Sequence, residues 1–135
     1  MQIRWQSVVR DVLIIFGLTF IGGFIIGFMS AVSGGSVNQA YLGLSNIFFG
    51  TVGFAISYVW TKTHRMPHLF AVAGGTWILS IINVFFGYGT IITWIFALIP
   101  VLLMMGLGSL VGWGWTSVFP QNESDNRPSR NHHHI

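Results

Sequence analysis

The sequence predicts an all-α, polytopic membrane protein in which four transmembrane helices pack as a bundle. Of its 135 residues, 53% are hydrophobic and only 7% are charged, and the apolar residues fall into four long runs. A membrane-spanning helix needs about 20 mostly apolar residues, whereas about 25% of the residues in a soluble domain are charged. A chain this apolar could not cover its surface as a soluble globule. The absence of cysteine excludes disulfides and thiolate chemistry.

The four predicted spans cover residues 12–32, 40–60, 69–87 and 91–115. Residues 1–11 form a short polar head, and residues 116–135 form a polar tail without apolar periodicity, which we expect to be disordered. The apolar length of the first span exceeds the roughly 7 to 15 residues of a signal-peptide core, so we expect it to be retained. Within the fourth span, Pro100 predicts a kink because its ring clashes with the carbonyl of Phe96.

The basic residues predict one orientation. All six fall in the head, the middle connection or the tail: Arg4, Arg10, Lys62, Arg65, Arg127 and Arg130. With four spans these three segments share a side of the membrane, while the connections 33–39 and 88–90 carry no formal charge. The positive-inside rule therefore predicts that both termini are cytoplasmic. The expected location is the bacterial inner membrane.

Small residues in the first and fourth spans are spaced for helix packing. The first span carries the row Thr19, Gly23, Gly27 and Ala31, next to a parallel row of Phe16, Phe20, Phe24 and Phe28. In a bilayer, helices associate through close backbone contact at small residues. We expect the small row to face protein and the phenylalanine row to face lipid or a neighbour's groove. Gly108 and Gly112 repeat the spacing in the fourth span.

The second and third spans carry two further rows of small or weakly polar residues. The members are Gly43, Asn46, Gly50, Gly53 and Ser57 in one span and Ala73, Thr76, Ser80, Asn83 and Gly87 in the other. In an antiparallel hairpin the rows would lie level and could meet along their length. We expect Asn46 and Asn83 to share a depth and to hydrogen-bond. The alternative is that Asn46, Ser80 and Asn83, with Thr76 and Ser57, line a narrow polar path.

Few residues are candidates for chemistry. Asp11 falls at the cytoplasmic border beside Arg10 and is expected to be a first-turn acid, so the spans themselves hold no ionisable residue. His64 and His68 are four residues apart and on a helix could hold a metal. Pro67 disfavours that helix, and the other interpretation is a loop with two interfacial charges.

The serines of the first connection, Ser33 and Ser36, are separated by the bilayer from every histidine, so we expect no nucleophilic catalysis. The tract His132 to His134 could bind a divalent metal weakly, although a solvated tail is the simpler interpretation. No cofactor, metal or nucleic acid is expected. We expect a non-catalytic accessory, assembly or scaffold subunit that packs against itself or other membrane proteins. The alternative is a small channel or exporter with a weakly polar path, formed by one chain or by an oligomer.

Overall fold

The computed structural model describes residues 4–36, 38–62, 64–87 and 89–119, and within these ranges the chain is helical without any strand. Its helices are α1 (Trp5–Val32), α2 (Gln39–Trp60), α3 (Arg65–Leu79), α4 (Ile82–Phe85), α5 (Ile91–Phe96) and α6 (Leu98–Val118). Most of the predicted disordered tail lies outside the described residues, together with Arg127, Arg130 and the tract 132–134.

The prediction of an all-α chain with four membrane-length helices is confirmed. Four helical stretches are long and apolar enough to cross a membrane: Trp5–Val32 with 28 residues, Gln39–Trp60 with 22, Arg65–Phe85 with 21 and Ile91–Val118 with 28. The first of them begins at Trp5, well before the apolar run starts at Val12. As a result Arg10 and Asp11 lie inside a helix rather than in a polar head.

The last two spans are interrupted. The third divides between α3 and α4 at Ser80 and Ile81, and the fourth divides between α5 and α6 at Ala97. The break at Ala97 precedes Pro100 by one helical turn and confirms the predicted irregularity, because proline offers no N–H to the carbonyl of Phe96. Thr90 and Thr93 form a capping box that starts α5.

Helix α2 forms the centre of the bundle and packs most extensively on α6 and α1, whereas its contact with α3 is slight. Side chains of the two main neighbours cover its glycines: Ile15 of α1 lies against Gly53, and Met104 of α6 lies against Gly50. The expected hairpin, in which the rows of spans two and three meet along their length, is therefore wrong. The row on α2 packs against the helices that bring large side chains to it.

The start of α1 and the connection between α2 and α3 lie at the same end of the bundle. The Arg10 guanidinium carbon lies 5.0 Å from the centre of the Trp60 ring, and that of Arg65 lies 4.8 Å from the centre of the Tyr58 ring. We call this the charged end, because it also carries Arg4 and the short segment around Lys62. The opposite, uncharged end carries the described residues of the other two connections, 33–36 with 38 and 86–87 with 89–90.

Candidate functional site

A buried carboxylate joins three helices near the charged end. Asp11 lies nearly two turns into α1 and is only 1% exposed. Its Oδ1 accepts hydrogen bonds from the Arg10 side chain, at 2.8 Å from Nε and 2.7 Å from the terminal nitrogen. Its Oδ2 lies 2.6 Å from Ser57 Oγ of α2 and 2.9 Å from His68 Nε2 of α3. We call these four residues the Asp11 cluster.

Ser57 and His68 lie where their helices are already turned inward by apolar neighbours. Ser57 follows the buried Phe54 of α2 by about one turn, and His68 adjoins the fully buried Leu69 of α3. Helix α3 begins immediately after His64, whose φ of 53° is left-handed. Pro67 then falls in the first turn, where its missing N–H has no intrahelical partner to lose, and the helix places His68 in the core.

The cluster corrects two sequence-based expectations. The inference that the spans hold no ionisable residue is wrong, because Asp11 is 1% and His68 7% exposed within the bundle. The expectation that no serine, histidine and acid come together is also wrong, since Ser57 donates to Asp11 and His68 contacts the same oxygen. Both errors arise because α1 and α3 begin earlier in the sequence than the apolar runs that located them. In addition, the salt bridge to Arg10 balances the charge of Asp11 inside the helix.

The order of the contacts decides what the cluster can do chemically. In a serine nucleophile triad the histidine bridges the hydroxyl and the acid. Here the carboxylate is the bridge: Ser57 donates directly to Asp11, and an ionised carboxylate can only accept, so His68 Nε2 donates to it as well. In the described part of the chain, no hydrogen bond joins the His68 imidazole to the Ser57 hydroxyl. The cluster connects three helices through one fully hydrogen-bonded acid.

A shared two-histidine metal site is absent from this arrangement. His64 is exposed at the surface, while His68 is buried and occupied with Asp11. Within the part of the chain that the structure describes, no group of three or more His, Cys, Asp or Glu residues could hold a metal ion. His64 therefore lies at the surface and His68 in the core, so the two rings do not share a site.

At six glycines of the bundle, other residues of the chain occupy the space that a side chain would need. They are Gly22, Gly50, Gly53, Gly75, Gly108 and Gly112. At Gly108 an added β-carbon would lie 2.8 Å from the Thr51 carbonyl oxygen and 3.0 Å from the Ala55 nitrogen, so α6 and α2 meet backbone to backbone. At Gly112 it would lie 2.7 Å from the Tyr58 ring. Gly108 and Gly112 of the predicted rows thus lie against α2, whereas Gly22 and Gly75 lie outside those rows.

The small row of α1 is different. A β-carbon added at Gly23 or Gly27 would meet nothing within 4 Å. The neighbouring Phe20, Phe24 and Phe28 are 67%, 66% and 59% exposed, which confirms that this edge of the phenylalanine row faces outward. Within its own chain the row does not face protein, contrary to expectation. The remaining members agree, since Ala31 is exposed and the Thr19 hydroxyl bonds to carbonyls of its own helix.

The two asparagines do not meet. Asn46 and Asn83 are both exposed, and no hydrogen bond joins their amides in the described part of the chain. Gly43 and Gly87, at the ends of the same rows, also have open space around them. Ala73 and Thr76 are buried in α3, and Ser80 Oγ donates to the carbonyl of Trp77 at 2.6 Å. A polar path between spans two and three therefore lacks its expected walls.

A reciprocal tryptophan pair that the sequence did not predict joins α3 and α5. The rings of Trp77 and Trp94 stack with centroids 4.3 Å apart, and each Nε1 donates to the other residue's backbone carbonyl at 3.0 Å. Each tryptophan precedes a helix break by three residues, at Ser80 and Ala97. Lipid cannot hydrogen-bond backbone carbonyls at a helix break, and each indole adds a donor at one of them, beside Ser80 Oγ at Trp77 and the Ala97 N–H at Trp94. The signal available in the sequence was Trp77 itself, which is too deep for an interfacial aromatic belt.

The fold and these contacts define a small helical protein with four membrane-compatible spans and a buried acid that links three of them. No protein-family model, no curated protein and no solved structure matches the chain.

Proposed function

We propose that this protein is a non-catalytic membrane component that acts by helix packing and assembles with a second copy of itself through the uncharged half of α1. One observation carries the proposal: Gly23 and Gly27 have open space around them beside an exposed phenylalanine row. The buried glycines of the bundle, by contrast, are filled from within the chain. The free pair has the G-x-x-x-G spacing of transmembrane helix contacts.

A second copy fits this surface better than an unrelated helix. In a two-fold dimer whose axis follows the membrane normal, the same helix of both copies crosses in parallel. The G-x-x-x-G row supports close parallel crossings and is complementary to itself. Phe20 and Phe24 would then pack along the flanks of the contact.

The Asp11 cluster supports the same function. Through Ser57 and His68 it fastens α1 to α2 and α3 at the charged end. Helix α1 is thereby held as part of a rigid unit, while the Gly23 and Gly27 half extends beyond α3, which ends at Leu79. A helix that is anchored at one end and keeps one open face at the other suits an assembly subunit.

Substitution of the free glycines tests assembly. Gly27→Leu would separate two α1 helices and is expected to convert a dimer in lipid nanodiscs to a monomer. Gly106→Leu is the matched control, because Gly106 also has nothing within 4 Å of an added β-carbon but lies on α6, outside the proposed contact. A monomeric unmodified protein, or a dimer that survives Gly27→Leu, would contradict the proposal. If the protein instead co-purifies with a larger membrane protein and forms no dimer, the partner of α1 is a helix of that protein and not a second copy.

We also propose that the charged end faces the cytoplasm of a bacterial inner membrane. The support is that Arg4, Arg10, Lys62 and Arg65 share one end, as the positive-inside rule requires of cytoplasmic segments. The chain has no cysteine, so Ser36→Cys and Lys62→Cys each introduce a single label site. An impermeant maleimide applied to intact spheroplasts should label the first, and the second only after permeabilisation. Labelling of Lys62→Cys in intact spheroplasts, and of Ser36→Cys only after permeabilisation, would show the opposite orientation.

A second candidate is a proton-coupled exporter, which the buried Asp11 and His68 favour because ionisable residues within a spanning bundle often mark proton pathways. Proton flux into liposomes, driven by a potassium diffusion potential, tests it. Asp11→Asn and His68→Gln should abolish the flux, while the exposed His64→Gln should leave it unchanged. Equal flux in all variants and in empty liposomes would eliminate this candidate.

A further inference from the structure

We propose that an anionic phospholipid binds at the charged end, with one acyl chain in a groove between α1 and α3 and its phosphate at Arg4. The groove has a volume of about 470 Å³. Its walls are apolar, with Trp5, Val8 and Leu13 on α1 facing Ala71, Gly74 and Ile78 on α3. This proposal depends on the chain spanning a membrane and is independent of self-assembly.

The groove opens along one edge of the contact between α1 and α3. Val12 lies against Gly75, and Asp11 meets His68. Beside this contact, Gly74 has no side chain, and an added β-carbon there would meet nothing within 4 Å. The two helices are therefore held together along one edge and separated along the other.

The shape and chemistry of the groove suit an acyl chain. The α1 wall from Trp5 to Leu13 extends about 12 Å at 1.5 Å per residue, a length that one hydrocarbon chain can follow. Such a chain also matches walls without polar side chains. Because both walls belong to membrane-compatible spans, lipid chains are the apolar molecules that surround the opening.

The charge at the mouth of the groove favours an anionic headgroup. Of the cations at this end, Arg10 is bound by Asp11, and Arg65 lies over Tyr58 and donates to a backbone carbonyl. Arg4 directly precedes the groove residue Trp5, is exposed, and has no hydrogen bond or ion pair from its side chain among the described residues. A guanidinium binds phosphate oxygens through paired N–H groups, so Arg4 supplies the complement that a phosphate needs.

Lipid titration of the purified full chain in detergent tests the site. Phosphatidylglycerol should raise the midpoint of thermal unfolding and remain bound as a one-to-one adduct in native mass spectrometry. Phosphatidylcholine with the same acyl chains should raise the midpoint less and give a weaker adduct. Gly74→Leu fills the groove and should abolish the adduct with either lipid. Ala71→Leu fills it from the next turn and serves if Gly74→Leu fails to fold. Gly106→Leu, at an open position on α6, should retain the adduct.

The headgroup contact has its own pair of variants. Arg4→Gln should weaken phosphatidylglycerol binding about fivefold, the effect of roughly 1 kcal/mol for one cation, and remove the preference over phosphatidylcholine. Lys62→Gln, an exposed cation at the same end, should leave both unchanged. Adduct formation by both groove-filling variants, or equal effects of Arg4→Gln and Lys62→Gln, would overturn the proposal. Because Gly27→Leu lies outside the groove, loss of the dimer in that variant should leave lipid binding intact.

Discussion

The charged half and the uncharged half of this bundle are built on different principles. Near the charged end, Ile15, Phe54, Leu69 and Val72 are fully buried, and the Asp11 cluster ties three helices together. Toward the uncharged end both later spans are broken, and Phe85 is 83% exposed. The first half is closed by contacts within the chain, whereas the second leaves many small and aromatic residues open, apart from Gly22 and the Trp77–Trp94 pair.

This difference separates stability from assembly. Glycines that receive a side chain or a backbone contact, such as Gly53 and Gly108, define the fold, because their replacement forces helices apart. Glycines with open space, such as Gly23 and Gly27, add nothing to packing within the chain and are free to act between chains. Substitutions in the two halves should therefore move different observables.

The largest loss of stability is expected from the Asp11 cluster. Asp11→Asn replaces the buried charged acceptor of hydrogen bonds from Arg10, Ser57 and His68 by a neutral amide. Hydrogen bonds to a charged group contribute roughly 1.5 to 3 kcal/mol each, so we expect a loss of about 3 kcal/mol. The free energy of unfolding, measured by SDS titration in mixed micelles, should fall by that amount. His64→Gln, at an exposed histidine, should leave it unchanged. A loss below about 1 kcal/mol for Asp11→Asn would mean that the charged half is held by apolar packing alone.

The next largest effect is expected where α6 meets α2. Gly108→Ala places a β-carbon 2.8 Å from the Thr51 carbonyl oxygen and should lower the free energy of unfolding by about 2 kcal/mol, as overpacking does. Gly106→Ala, two residues away in open space, should instead raise it by about 0.5 to 1 kcal/mol, because alanine loses less backbone entropy in a helix. If both substitutions change the free energy of unfolding in the same direction, the distinction between filled and open glycines is refuted.

A smaller effect is expected at the helix breaks. Trp77→Phe keeps a ring for stacking but removes the N–H that donates to the Trp94 carbonyl. Since that carbonyl also accepts from the backbone nitrogen of Ala97, the loss should be only about 1 kcal/mol. Trp113→Phe, at a ring that is 63% exposed, is the matched control. If both substitutions have the same effect, the indole contact does not brace the breaks.

Sequence analysis predicted the regular part of this fold and missed what depends on remote partners. Apolar run length located all four spans, and Pro100 marked a break. The burial of Asp11 could not be predicted in this way, because its partners Ser57 and His68 are 46 and 57 residues away and a charged residue counts against a span. Spacing likewise identified Gly50 and Gly53 as a row but not the neighbour that would cover it. That choice depends on side chains such as Ile15 and Met104.

The smallest effects are expected at Asn46 and Asn83, where spacing suggested a hydrogen bond. Both amides are exposed and unpaired with each other in the described chain, so Asn46→Leu and Asn83→Leu should each change the free energy of unfolding by less than about 0.5 kcal/mol. The double variant should equal the sum of the singles. A coupling of about 0.6 kcal/mol, typical of a hydrogen bond between membrane helices, would show that the amides do interact. The uncharged half would then be closed by contacts within the chain, like the charged half, and its open surface would be confined to α1.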